Sequence, residues 1–190
     1  MTREILETIS PRVWDLARRQ HGVISRSQLL ALGLTHEAIE HRLKRGRIHR
    51  SPHRGVYLIG WPLLTSERRW MAAVLACGKQ AMLSHRSAAA LWGFGKETPG
   101  VIHVSIARHS SLRRQGLRIH DRPGLRNRDM TTRLGIPLTA PVKTFLDFTT
   151  VAGPKTVERA INEADKLDVI DADALRRALD DHPGEPGVRP

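Results

Sequence analysis

The sequence is poor in the groups that carry covalent and metal chemistry. It has a single cysteine, Cys77, so no disulfide framework and no CxxC pair can form, and a reducing compartment is expected. Cys77 closes the apolar run Met71-Ala-Ala-Val-Leu-Ala-Cys77 and reads as a small core hydrophobe. No stretch approaches the roughly 18 apolar residues of a membrane-spanning helix. Met1 to Ser10 carries Arg3, Glu4 and Glu7 with no apolar segment behind them, so no secretory signal is expected and a cytoplasmic location is. HExxH, paired Cys and His, EF-hand, Walker, GxGxxG and GxSxG motifs are all missing. A metal-dependent nuclease would need converging carboxylates with a lysine nearby, yet Glu158, Glu163, Asp165, Asp171 and Asp173 fall on solvated helical segments of the last third. The expectation is a protein without catalysis, metal or cofactor. Of the ten histidines, the nearest grouping is His103, His109 and His120 with Asp121, which read as residues of a polar face. Ser84-His85 reads as a helix cap and not as a nucleophile with its base.

What is abundant is positive charge. Lys and Arg number 31 against 19 Asp and Glu, for a net charge of +12, which favours a polyanionic partner. The excess is uneven: residues 1–60 carry +6, residues 61–135 carry +9, and residues 136–190 carry −3.

The spacing of apolar residues predicts an ordered set of short elements in the first part. Pro11 opens a helix through Gln20, with Val13, Leu16 and Ala17 on one side. Gly22 ends it. Ser25-Arg-Ser-Gln28 has the form of a capping box ahead of Leu29 and Leu30, which predicts a second helix stopped by Gly33. Thr35 can cap a third helix, with Ile39 and Leu43 inward and His36, Glu37, Glu40, His41, Lys44 and Arg45 outward. After Gly46, Arg47–Arg50 and Gly55–Ile59 read as strands around a Ser51-Pro-His-Arg54 turn. Helix, helix, tight turn, helix and basic hairpin is the order of a winged helix-turn-helix, whose third helix enters the major groove while the hairpin lies on the backbone. Arg42, Lys44, Arg45, Arg47, Arg50 and Arg54 fall within 13 residues of that helix and wing, dense enough for several phosphate contacts.

Further on, helices are predicted from Ser66 to Ala76, from Ser84 to Leu91 and from Pro141, with strands at Val101–Ile106, Gly116–His120 and Gly135–Thr139. Between the first two strands lies the basic loop Arg108–Arg114. Helices near 155–166 and 171–181 precede a Pro/Gly-rich end. The whole reads as α+β: a winged helix over 1–60, a mixed domain over 61–181 with helices at its end, and a linker-like tail over 182–190.

Several motifs together resemble the AbiEi family of type IV toxin–antitoxin antitoxins. They are His21-Gly-Val-Ile-Ser-Arg-Ser-Gln-Leu-Leu30, Gly46-Arg-Ile48 and Arg54-Gly-Val-Tyr57 in the first part. In the second they are Leu83-Ser-His-Arg-Ser-Ala-Ala-Ala-Leu-Trp-Gly93, Gly135-Ile-Pro137 and Thr139-Ala-Pro-Val-Lys-Thr-Phe-Leu-Asp147. The resemblance implies a transcriptional regulator that binds inverted repeats of double-stranded DNA at its own promoter and that counters a nucleotidyltransferase-like toxin; because one winged helix reads only a half-site, a homodimer on the DNA is expected. The resemblance places DNA contact on the third helix and on the wing residues Arg50, His53 and Arg54, and the full expected set is Ser25, Arg26, Thr35, His36, Glu37, Glu40, His41, Lys44, Arg45, Arg47, Arg50, His53 and Arg54. Similar proteins often continue into a nuclease domain of the very-short-patch-repair (DUF559) type, and this sequence stops about where that domain would begin. A non-catalytic front portion of such a nuclease, or a basic nucleic-acid or protein adaptor, are the alternative readings.

Overall fold

The computed structural model describes residues 9–60, 63–107, 112–171, 173 and 175–177. The chain divides into two compact units, Met1–Lys79 and Gln80–Pro190.

In the first unit, α1 (Pro11–Arg19) starts where Ser10 Oγ accepts from the amide of Val13 and proline occupies the first turn. Val13 and Ala17 face inward. A short strand, β1 (Val23–Ser25), then leads straight into α2 (Arg26–Ala31). The expected capping box is present: Ser25 Oγ accepts from the Gln28 amide and Gln28 Oε1 accepts from the Ser25 amide. Next come α3 (His36–Lys44), capped by Thr35, and the hairpin of β2 (Ile48–Arg50) and β3 (Val56–Ile59). The three strands pair antiparallel in the order β1-β3-β2. This is a winged helix, with a core of Val13, Ala17, Ile24, Leu29, Ile39, Ile48, Tyr57 and Ile59.

The helix α4 (Ser66–Cys77) packs on β1 and β3, so the first unit runs past residue 60 and takes in the helix expected to open the second domain. Cys77 is buried there. Arg68 of α4 pins the sheet: its guanidinium donates to the carbonyls of His21 and Ile59, each at 2.7 Å, and of Leu63 at 3.0 Å. Gly22 sits against it in the left-handed region (φ +76°), where a Cβ would collide with that guanidinium. Arg68→Ala is expected to lower the stability of this unit by about 2 kcal/mol, since three charge-assisted hydrogen bonds disappear and two of the carbonyls are partly buried; urea unfolding followed by circular dichroism reads this directly.

The second unit is a five-stranded mixed sheet with helices. Its elements are β4 (Ala81–Leu83), α5 (His85–Trp92), β5 (Ile102–Ile106), β6 (Leu117–Asp121), β7 (Met130–Arg133), β8 (Ile136–Thr139), α6 (Pro141–Thr149) and α7 (Pro154–Lys166), in the strand order β6-β5-β4-β8-β7. β5 and β6 run parallel, as do β4 and β8, while β4–β5 and β7–β8 are antiparallel. Phe94, Phe145 and Phe148 with Ala89, Ala160 and Ala164 knit α5, α6 and α7 together. Gly93 ends α5 in the left-handed conformation, as expected, but Ser84 makes no side-chain cap to that helix. Its hydroxyl lies 2.9 Å from Nδ1 of His85 instead. Among the described residues no helix is long and apolar enough to cross a membrane. The expected helix at 171–181 falls largely outside the described residues, as do residues 108–111 of the basic loop, His109 among them, and the tail from 182.

Candidate nucleic-acid interface

Two elements of the first unit bring the predicted residues together. On α3, Ala38, Ile39 and Arg42 are buried, which turns His36, Glu37, Lys44 and Arg45 to solvent and leaves Glu40 and His41 half-buried. Arg47, Arg50 and Arg54 are exposed on the hairpin and its approach. The helix and wing are tied by an ion pair between Glu40 Oε2 and Arg50 Nη2 at 3.3 Å. Arg26 of α2 reaches the start of α3, its Nη2 2.6 Å from Nδ1 of His36. Basic side chains thus line the C-terminal end of α3 and the wing, while the acidic and imidazole groups occupy its N-terminal half and outer face.

Not every predicted residue belongs to that surface. Ser25 is buried with its hydroxyl committed to capping α2, and His53 is buried inside the wing turn. Thr35 is exposed, but its hydroxyl accepts from the Ala38 amide. The Glu37 carboxyl is held below the usual carboxylate range by its own backbone amide and by the Thr35 hydroxyl, so it folds back over the helix start. Arg42, counted among the phosphate-binding cations on sequence, is only 5% exposed and donates to the carbonyl of Ala38. Burial lowers its pKa, and it serves as a strut beneath the surface: with His41, Arg45 and Arg47 it lines a small cavity of about 160 Å³.

The second unit contains a buried polar cluster that sequence reasoning did not assemble. His103 and His120 converge as their strand positions allowed, but the third member is His85 from the start of α5. Both His85 and His103 are 2% exposed, so they are interior groups and not a polar face. The His85 and His120 rings stack with centroids 3.7 Å apart, and Nδ1 of His103 lies 3.1 Å from Nε2 of His120. Burial, reinforced by the positive charge of neighbouring residues, pushes His85 down to about 2 and His103 and His120 down to about 4. All three are neutral near pH 7. Close by, the carboxylate of Asp147 takes Arg122 at 3.0 Å and Lys143 at 3.5 Å. The strand register was the missing signal, because His85 meets His120 only after β4 is known to pair with β5.

The fold therefore defines a winged-helix protein with an α+β partner domain. Residues 12–60 match the family described as "Transcriptional regulator, AbiEi antitoxin", and residues 79–184 match "AbiEi antitoxin C-terminal domain". The chain belongs to the AbiEi antitoxin family, a family of transcriptional regulators from toxin–antitoxin systems. Its fold is similar to that of the RV2827C protein from Mycobacterium tuberculosis: the TM-score is 0.51 at 18% identity, over 93% of this chain and 77% of that one. No curated protein matches the sequence.

Proposed function

We propose that this chain is a sequence-specific DNA-binding regulator that autoregulates its own promoter and neutralises a nucleotidyltransferase-like toxin, without catalysis of its own. The observation that carries the reading is the exposed cationic surface formed by Lys44, Arg45 and Arg47 at the end of α3 and by Arg50 and Arg54 on the wing. In a winged helix these are the positions that meet the DNA backbone while the outer face of α3 lies in the major groove. His36, Glu40, His41 and Arg26 then stand where base edges would be read. A single such domain covers one half-site, so two copies of the chain on an inverted repeat complete the recognition. Membership of a regulator family supports the same reading.

The decisive experiment is a binding titration on the DNA upstream of the coding region against scrambled DNA of equal length, at two salt concentrations. A specificity ratio that persists at the higher salt is expected. Equal affinity for both DNAs, abolished by salt, would leave only general polyanion binding and favour the adaptor reading. Within that assay, Lys44→Ala and Arg54→Ala are each expected to weaken binding to any sequence and to reduce the salt slope by about 0.9, the contribution of one phosphate contact. An unchanged slope in both variants would remove the helix end and the wing from the interface.

A further inference from the structure

Three histidines from three elements meet inside the second unit, and the regulatory reading uses none of them. His85 stands at the first turn of α5, His103 on β5 and His120 on β6; one ring nitrogen of each lies within 4.8 Å of the others. We propose that His85, His103 and His120 form a binding site for one transition-metal ion, zinc(II) or the chemically similar cobalt(II), with water as the fourth ligand.

The donor set selects the class of ion. Three neutral imidazoles suit zinc, cobalt, nickel and copper, and they offer magnesium and calcium none of the oxygen ligands those ions require. Three protein nitrogens with one open position is a recurrent zinc arrangement, and its tetrahedral geometry places nitrogens roughly 3.3 Å apart for bonds of about 2.0–2.1 Å. The donor nitrogens lie within 4.8 Å of one another, so reaching that spacing requires the rings to rotate. Imidazole lone pairs lie in the ring plane, so His85 must leave its stack on His120, and the His103–His120 contact gives way to the metal. His120 is the least buried of the three and provides the side from which an ion enters.

A second observation points to the same place. Ser105 pairs with His120 across the parallel β5–β6 ladder and lies two residues beyond His103, which puts all three side chains on one face of the sheet. The Ser105 hydroxyl is fully buried, and among the described residues it has no hydrogen-bond partner. A buried hydroxyl in that condition is costly, and a metal-bound water beside it would supply the bond. The positive groups that bear on the cluster are Arg122 and Lys143 toward His85, Arg118 and Arg86 toward His103, and Arg118 and Arg122 toward His120. They oppose a dication, and Asp147, which pairs with both Arg122 and Lys143, offsets one of these four positive charges.

The test is cobalt(II) titration of the chelator-treated full chain, followed by visible absorption. A tetrahedral ligand-field band that saturates at one equivalent is expected, and zinc should bleach it. In His120→Gln, with an unchanged circular dichroism spectrum, the band should vanish and affinity should fall at least about tenfold. Weak octahedral absorption in the parent protein, or undiminished uptake by His120→Gln, would overturn the proposal. Where that variant does not fold, the imidazole nitrogen resonances of the parent protein decide. Zinc-induced shifts at His85, His103 and His120 support the site, and shifts at other histidines or at none refute it.

Discussion

Asp147→Asn is expected to destabilise the second unit by about 3–5 kcal/mol, the range found when one partner of a buried ion pair is removed. Asp147 is 1% exposed on α6. Its Oδ1 sits 3.0 Å from Nη2 of Arg122 and 3.5 Å from Nζ of Lys143, whose side chain is itself only 9% exposed. Asparagine keeps the volume and one acceptor oxygen, so packing is nearly conserved. What disappears is the negative charge that faces the Lys143 ammonium and the Arg122 guanidinium inside the protein. The cost of the substitution lies in that lost attraction across a buried pair, which gives the prediction a second arm. Adding Lys143→Met to Asp147→Asn should recover more than half of the lost stability, because an apolar side chain of similar length needs no counter-charge. Urea unfolding by circular dichroism gives the free energies, and hydrogen exchange across α6 locates the loss. A change under about 1 kcal/mol for Asp147→Asn would place the pair in the weak class of solvent-screened surface bridges and refute the account.

The winged helix was legible because each of its signals is local. Pro11, the Ser25–Gln28 capping box, Thr35 and the left-handed glycines Gly22, Gly33 and Gly46 each act within a few residues, and caps of this kind are written in the sequence. The strand β1 was not, since Val23, Ile24 and Ser25 are all buried and show no alternation. Three buried residues between two helices read equally well as a turn. Its existence depends on pairing with β3, more than thirty residues away. The same reasoning covers β4, again a three-residue, fully buried strand, and β7, whose Met130-Thr-Thr-Arg133 carries little apolar signal and is held by its pairing with β8.

The candidate interface was legible only as a set of charges. Period and composition put Arg42 with the other cations of α3, but the helix turns it inward to the Ala38 carbonyl, and its long apolar stem fills space there. Ser25 and His53 likewise went to local structure instead of the surface. The polar interior of the second unit was the least legible part. Lys143 and Asp147, spaced i and i+4, have the pattern of an ordinary exposed helical pair; only the packing of α6 makes them internal. His85 was hidden for another reason: Ser84 occupies the helix N-cap position that its type predicts, but bonds to the adjacent imidazole.

Removing four exposed cations together, as Lys44→Ala, Arg45→Ala, Arg47→Ala and Arg54→Ala in one chain, is expected to lower promoter affinity about a thousandfold at physiological salt and to reduce the salt slope by about 3.6. These residues are chosen because each is exposed, while Arg42 and the Glu40–Arg50 pair that brace α3 and the wing are retained. Phosphate contacts fix position and carry no direct sequence information, so scrambled DNA should lose affinity in the same proportion and the specificity ratio should hold. Changing the outer face of α3 should do the reverse. His36→Ala with His41→Ala is expected to compress the ratio between promoter and scrambled DNA, by about 1–3 kcal/mol for each base edge no longer read, with little change in slope. Fluorescence anisotropy across a salt series separates the two outcomes, because slope and ratio are independent readings of the same titrations. A fourfold variant that kept the parent slope would mean that the DNA lies elsewhere on the protein, and the +9 segment over residues 61–135 would become the surface to mutate.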